Sequence, residues 1–255
     1  MEFPILIPNI FNHPFTYNSD LDLKVGDYVI VPFGKSEVTG VVWDEFEKKK
    51  NKNFLIKKVS RKLDVPSLKK NIIKFLNWFS EYNMIPKGMA LKLLLLSSGA
   101  IEKLPIEAYV SFKIDIKENE IKLSKEQKDS LKKMNVLNQK FRVHVLQGTT
   151  GSGKTMVYFE ALKEIINKGF QGLILLPEIG LTGQFQNKFI EFFGFTPAVW
   201  HSGITKKKKE IIWSGIANGE IKVVIGARSS LFLPFKKLGL IIVDEEHDQS
   251  YKQDE

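Results

Sequence analysis

The 255 residues carry 38 Lys and Arg against 29 Asp and Glu, a formal charge of +9, with 43% hydrophobic residues and no cysteine. That apolar share suits one large or two modest cores, and the basic excess favours a polyanionic partner. The absence of cysteine excludes disulfides and thiolate metal sites within these residues. No apolar run is long enough for a bilayer span, and Met1-Glu2-Phe3-Pro4 does not open a secretory leader, so a cytoplasmic protein with no membrane partner is expected.

Residues 1–60 read as short strands between turn residues. Tyr28 to Gly34 and Thr39 to Trp43 form two strands of a small antiparallel sheet or barrel. The lysine run Lys48 to Lys52 is either a mobile hairpin loop or a phosphate contact. From Pro66 the pattern changes: Leu68, Ile72, Ile73, Leu76, Phe79 and Tyr82 recur at helical spacing, and a second helix runs through Ala90 to Ser97. Pro105 to Leu123 is polar, lysine-rich and without a period, as a linker would be.

Beyond it, strands and helices alternate. Strands are expected at Phe141–Leu146, Gly172–Leu176, Ala198–His201, Lys222–Gly226 and Gly239–Val243, with helices over Met156–Asn167, Leu181–Phe193 and Lys206–Ala217. This order implies an α/β unit with a parallel sheet. His13 and His144 are read as structural.

Between the first of these strands and the first helix stands Gly148-Thr149-Thr150-Gly151-Ser152-Gly153-Lys154-Thr155, a complete phosphate-binding loop, or Walker A. The glycines let the backbone curl so that bare N–H groups converge on phosphate oxygens at a helix N-terminus. Lys154 then supplies charge to the β and γ phosphates, and the Thr155 hydroxyl ligates Mg²⁺. The apolar run Leu240 to Val243 ends in Asp244-Glu245-Glu246-His247, acids at the carboxyl end of a buried strand, where such sheets place their ligands. Asp244 is positioned to hold Mg²⁺ through its water shell, and Glu245 to act as base or orienter for the attacking water. An unrelated P-loop kinase or transporter ATPase is the rival, but no acceptor-pocket motif or transporter signature accompanies the loop.

The strings Leu176-Pro177-Glu178-Ile179-Gly180-Leu181-Thr182, Trp200-His201-Ser202-Gly203, Ile225-Gly226-Ala227-Arg228-Ser229-Ser230-Leu231-Phe232 and Asp244-Glu245-Glu246-His247-Asp248-Gln249-Ser250-Tyr251-Lys252-Gln253 occur in this order. Together they resemble the primosomal protein N′ family of replication restart helicases, of the superfamily 2, DExH type. The resemblance implies a small, mostly β 3′-DNA-binding domain with helices at 1–100, a linker at 101–122, and the first RecA-like lobe at 123–255. It implies ATP and Mg²⁺ as cofactors, and 3′ to 5′ unwinding of forks and D-loops that initiates primosome assembly. The implied partners are single-stranded DNA, the nascent 3′ end, other primosome proteins and single-strand-binding protein. The alternative is a fork- and 3′-end-binding module that binds ATP with little turnover.

Site residues follow from the resemblance. Phe15, Thr16, Gly34 and Lys57 stand where the family builds its 3′-end pocket, Thr16 in place of the usual Asp. His201 and Arg228 occupy motifs that face DNA; Arg228 also reads as a surface arginine. Gln127 matches the adenine-reading glutamine, or else caps the helix that Ser124 opens. Tyr251 and Lys252 lie in the aromatic-rich loop that joins bound DNA to hydrolysis. The segment between the two domains is too short for the winged helix of many members, which is absent or reduced. The second lobe and the zinc-binding segment are expected after Glu255, so zinc belongs outside these residues.

Overall fold

The computed structural model describes residues 1–44, 55–95, 104–112, 114, 123–138, 140–177 and 183–251. The Lys48–Lys52 run, Glu178–Thr182 and Lys252 lie outside them, as does most of the expected linker. The chain packs as two compact units, the first comprising residues 1–105, 205–218 and 232–234, the second residues 106–204, 219–231 and 235–255.

The first unit holds a five-stranded antiparallel sheet of β1 (Glu2–Leu6), β2 (Phe15–Asn18), β3 (Tyr28–Phe33), β4 (Ser36–Val42) and β5 (Arg61–Lys62), in the order β2-β1-β4-β3-β5. The alternation in β3 and β4 sends Val29, Val31 and Val42 into one core with Ile5, Ile7, Tyr17 and Leu23. Two helices follow, α1 (Lys70–Tyr82) and α2 (Lys87–Leu94), with Leu95 as the C-cap of the second and the expected Ser97 outside the described residues. A later helix, α6 (Lys206–Asn218), completes this unit rather than the second. Its Trp213 is fully buried, meets the Tyr28 ring edge-on at 5.6 Å, and donates its indole N–H to the Leu94 carbonyl at 2.9 Å. Nothing in the sequence around Trp213 reveals which core its apolar face serves.

Asp27 anchors the turn into β3. Its carboxylate, 2% exposed, accepts from the Lys24 backbone N–H (2.9 Å), the Ser67 hydroxyl (2.6 Å) and the Lys62 ammonium (2.6 Å). Burial by itself would raise its pKa, but the bonds from Lys62, Ser67 and Lys24 outweigh it and hold the carboxyl below the ordinary aspartate value. A carboxyl lowered on folding contributes stability above the unfolded pKa of about 3.9 and loses it as pH falls through the folded value. Asp27→Asn is therefore expected to destabilise the chain in urea at pH 7 far more than at pH 3. An equal loss at both would contradict the ion-pair account.

In the second unit, α3 (Lys125–Met134) opens on a capping box: Ser124 Oγ accepts from the Gln127 N–H while the Gln127 amide oxygen accepts from the Ser124 N–H. The central sheet is parallel, made of β6 (Gln171–Leu175), β7 (Ala198–Trp200), β8 (Val223–Gly226) and β9 (Leu238–Val243) in the order β7-β8-β6-β9. Helices α4 (Lys154–Asn167) and α5 (Gly183–Phe193) pack Phe159, Phe189, Phe192 and Phe193 against Ile174, Val223 and Ile225 of the sheet.

One expected strand does not form. Phe141–Leu146 has no assigned secondary structure and lies outside the described sheets, with Phe141, Val143 and Val145 exposed. A strand exists only where a neighbour supplies its hydrogen bonds, and none of the described strands flanks this segment. On the sheet itself, β9 is an edge, with Ile241 and Val243 partly uncovered.

Candidate nucleotide and nucleic-acid sites

The phosphate-binding loop runs directly into α4. Gly153 is the N-cap in a left-handed conformation (φ 82°), which favours glycine, and no side chain caps the helix. The first-turn N–H groups thus have no side-chain acceptor, and the positive end of a 14-residue helix faces the loop, as an anion site requires. Lys154 Nζ lies against the Gly148 (2.6 Å) and Thr149 (3.1 Å) carbonyls, for which a phosphate oxygen would compete. Gln127 does more than cap α3: its Nε2 donates to the Ser152 carbonyl at 3.1 Å, placing the residue on the loop.

The acids arrive from β9. Asp244 N–H bonds to the Leu175 carbonyl at 3.0 Å, so the carboxyl ends of β6 and β9 meet beneath it. Asp244 Oδ1 accepts the Glu245 N–H (3.1 Å) and Oδ2 accepts the Tyr158 hydroxyl (2.7 Å). Glu245 takes a left-handed φ of 49°, strain of about 1–3 kcal/mol for a residue with a side chain, and such strain collects where geometry serves chemistry. Its carboxylate is half-exposed and 3.5 Å from His247 Nε2.

Burial, then the Asp244 carboxylate beside it, pushes the Tyr158 phenol far above its ordinary pKa, so it stays protonated and donates. Thr155 lies one helical turn earlier on α4, on nearly the same face as Tyr158. The Asp244 carboxylate is thus tied to the helix that carries Thr155. A hydroxyl and a carboxylate suit Mg²⁺, which takes one or two protein oxygens beside substrate phosphates, and these two residues would hold it. Among the described residues no group of three or more His, Cys, Asp and Glu gathers for a metal ion, and Mg²⁺ bound in this way needs none.

Tyr251 and Arg228 join the same network. The Tyr251 hydroxyl donates to the Asp244 carbonyl at 2.9 Å, and Arg228 Nη1 donates to the Tyr251 carbonyl at 3.3 Å. His201, at the carboxyl end of β7, uses Nδ1 to accept the Gly203 N–H at 3.1 Å. Tyr158 carries no motif signal of its own; only its place one helical turn after Thr155 hints at the contact.

In the first unit, Phe15 sits in a half-buried aromatic cluster, 5.3 Å from Phe11, 5.2 Å from His13 and 5.4 Å from Phe33. Gly34 follows Phe33 in the β3–β4 turn with φ 61°, and a side chain there would meet nothing within 4 Å. Lys57 is exposed, and its carbonyl accepts the Asn18 N–H at 2.9 Å beside the end of β2. Thr16 faces the opposite side of β2 from Phe15 and Tyr17. The structure thus groups Phe15 with Phe33 next to Gly34, sets Lys57 at the strand's end, and turns Thr16 away. Phe33 belongs to the Val31-Pro32-Phe33-Gly34 string that the resemblance places in the pocket, whereas Phe11 is marked by no motif in the sequence.

Comparison with known proteins gives two family matches. Residues 4–95 match the model of the 3′DNA-binding domain (3′BD), and residues 124–255 match that of the DEAD/DEAH box helicase. Replication restart protein PriA of Rickettsia conorii is 42% identical over 263 residues, covering 98% of this chain and 38% of that protein. The Bacillus subtilis protein of the same name is 46% identical over 114 residues, 45% of this chain and 14% of its own. A solved structure of RecG bound to a three-way DNA junction is 26% identical, covers 71% of this chain and 30% of that one, and has a TM-score of 0.46. No helix among the described residues is long and apolar enough to cross a membrane. With the helicase model matched over just over half of its length, the chain belongs to the DEAD/DEAH box helicase family, with a 3′DNA-binding domain ahead of it as an N-terminal portion of the PriA type.

Proposed function

We propose that the complete protein is an ATP-dependent DNA helicase of replication restart that moves 3′ to 5′, recognises stalled forks and D-loops, and initiates primosome assembly. The observation that carries this reading is the bond from Tyr158 on α4, one turn after Thr155, to the Asp244 carboxylate at the end of β9, beside an uncapped helix N-terminus, in a chain that also matches a 3′DNA-binding domain. In this reading the backbone N–H groups of Gly151 to Lys154 and the Lys154 ammonium hold the β and γ phosphates. Mg²⁺, when bound, neutralises charge on the transferring phosphoryl group. Glu245 orients the attacking water, and Gln127 reads the adenine edge. His201, Arg228, Tyr251 and Lys252 face single-stranded DNA, and the bonds from Arg228 through Tyr251 to Asp244 tie that face to the hydrolytic acid.

The chain spans 38% of its Rickettsia conorii relative. For these 255 residues alone we propose DNA and ATP binding with little turnover, a second lobe supplying the arginine worth about 10³–10⁵ in rate. Zinc is bound outside these residues in this reading, and single-strand-binding and primosome proteins are the partners of the whole. DNA-stimulated ATP hydrolysis, measured on the complete protein and on residues 1–255, tests this. Strong stimulation only in the complete protein is expected; hydrolysis indifferent to DNA in both would overturn the helicase reading.

The aromatic cluster around Phe15, with Gly34 and Lys57, is proposed to take a strand's 3′ end. A free hydroxyl fits a tight, partly apolar pocket, whereas a terminal phosphate brings charge that must be desolvated, a penalty of at least about 1.4 kcal/mol or tenfold in affinity. Fluorescence anisotropy of residues 1–255 with 3′-hydroxyl and 3′-phosphate oligonucleotides at matched salt measures it. Equal affinities would mean backbone binding without end recognition.

A further inference from the structure

We propose that Tyr158 is a positioning residue for the metal-holding carboxylate: its hydroxyl orients Asp244 toward Thr155, and so sets the affinity of the nucleotide complex for its divalent cation. This role rests on the ATP-binding reading of the loop. Tyr158 lies on α4 three residues after Thr155, hence on nearly the same helix face one turn along. Its ring is buried and meets Phe159 edge-on at 5.3 Å, which fixes the direction of the hydroxyl. From there it donates 2.7 Å to Asp244 Oδ2, across 86 residues of sequence.

The backbone alone does not orient the carboxylate. Asp244 leaves the end of β9 on the sheet's edge, and among the described residues its second oxygen is held by the N–H of its neighbour Glu245, which follows any rotation of the local backbone. Tyr158 is the long-range donor that ties the side chain to the helix bearing Thr155. Ring packing and hydroxyl contact are separable: Tyr158→Phe keeps the ring and removes only the bond. Partners that orient a metal-holding group typically change metal affinity by about 10–100-fold when lost.

The test uses Mn²⁺ as a paramagnetic probe, titrated by electron paramagnetic resonance into residues 1–255 saturated with ADP, so that no turnover is needed. Nucleotide binding is measured in parallel by fluorescent ADP in EDTA. Tyr158→Phe is expected to bind metal-free nucleotide as the wild type does, but to need about tenfold more Mn²⁺ for half-saturation. In an Asp244→Asn background the same substitution is expected to change Mn²⁺ affinity no further, because the group it orients is gone. Unchanged Mn²⁺ affinity in the single variant, with a wild type that binds nucleotide and Mn²⁺, overturns the positioning role alone. So does a loss that persists undiminished beside Asp244→Asn. A wild type that binds neither nucleotide nor Mn²⁺ overturns the ATP reading and this role with it.

Discussion

Lys154→Ala in the complete protein is expected to remove DNA-stimulated ATP hydrolysis, lowering the rate by about 10²-fold or more. The loop's N–H groups remain, but the one side-chain cation that the structure sets against the Gly148 and Thr149 carbonyls is gone, and with it the fixed charge facing the β and γ phosphates. Nucleotide affinity should fall as well. Glu245→Gln separates binding from chemistry: the strained φ and the amide bond to Asp244 belong to the backbone and survive, so ATP still binds, while the carboxylate that would orient the water is lost. Stopped turnover with retained binding is the expected outcome, read by fluorescent nucleotide and phosphate release. Hydrolysis at the wild-type rate in either variant would contradict the assignment of these residues.

Phe159→Ala is expected to give the largest loss of stability in the second unit. The Phe159 ring is fully buried on α4 and touches Phe185, Phe189, Phe192 and Phe193 at centroid distances of 5.8, 5.6, 5.1 and 5.3 Å. Truncation leaves a cavity that five rigid rings, Tyr158 among them, cannot easily fill, and such changes cost about 3–5 kcal/mol. Against a typical domain stability of about 5–15 kcal/mol, this is a large share. Amide protection in α4, α5 and the β6, β8 and β9 strands should fall steeply in hydrogen exchange, while that of β3 and β4 in the first unit stays. Protection changed by less than about 1 kcal/mol would show that the cluster repacks.

What was legible in the sequence had a local cause. The β3–β4 hairpin could be read because its alternation and its Gly34 turn lie within fifteen residues, and α4 because the loop fixes its start. The Ser124–Gln127 capping box was equally local, and the structure adds what was not: the same Gln127 amide reaching Ser152. Phe141–Leu146 alternates apolar and polar residues as a half-buried strand does, yet pairing depends on a neighbour that no local pattern reports. Tyr158 and Asp244 are 86 residues apart, so their bond is a product of the parallel sheet and not of any string. The burial of Trp213 in the first unit is the same kind of event: a helical apolar face shows that it packs, not on what.

Strand displacement by the complete protein tests the central claim most directly, on one duplex bearing a single-stranded tail at either its 3′ or its 5′ end. A helicase that loads on the 3′-tailed strand and moves toward its 5′ end unwinds the first substrate with ATP and Mg²⁺ and leaves the second intact, and Lys154→Ala unwinds neither. Unwinding that prefers the 5′ tail, or that proceeds equally without ATP, would contradict the account.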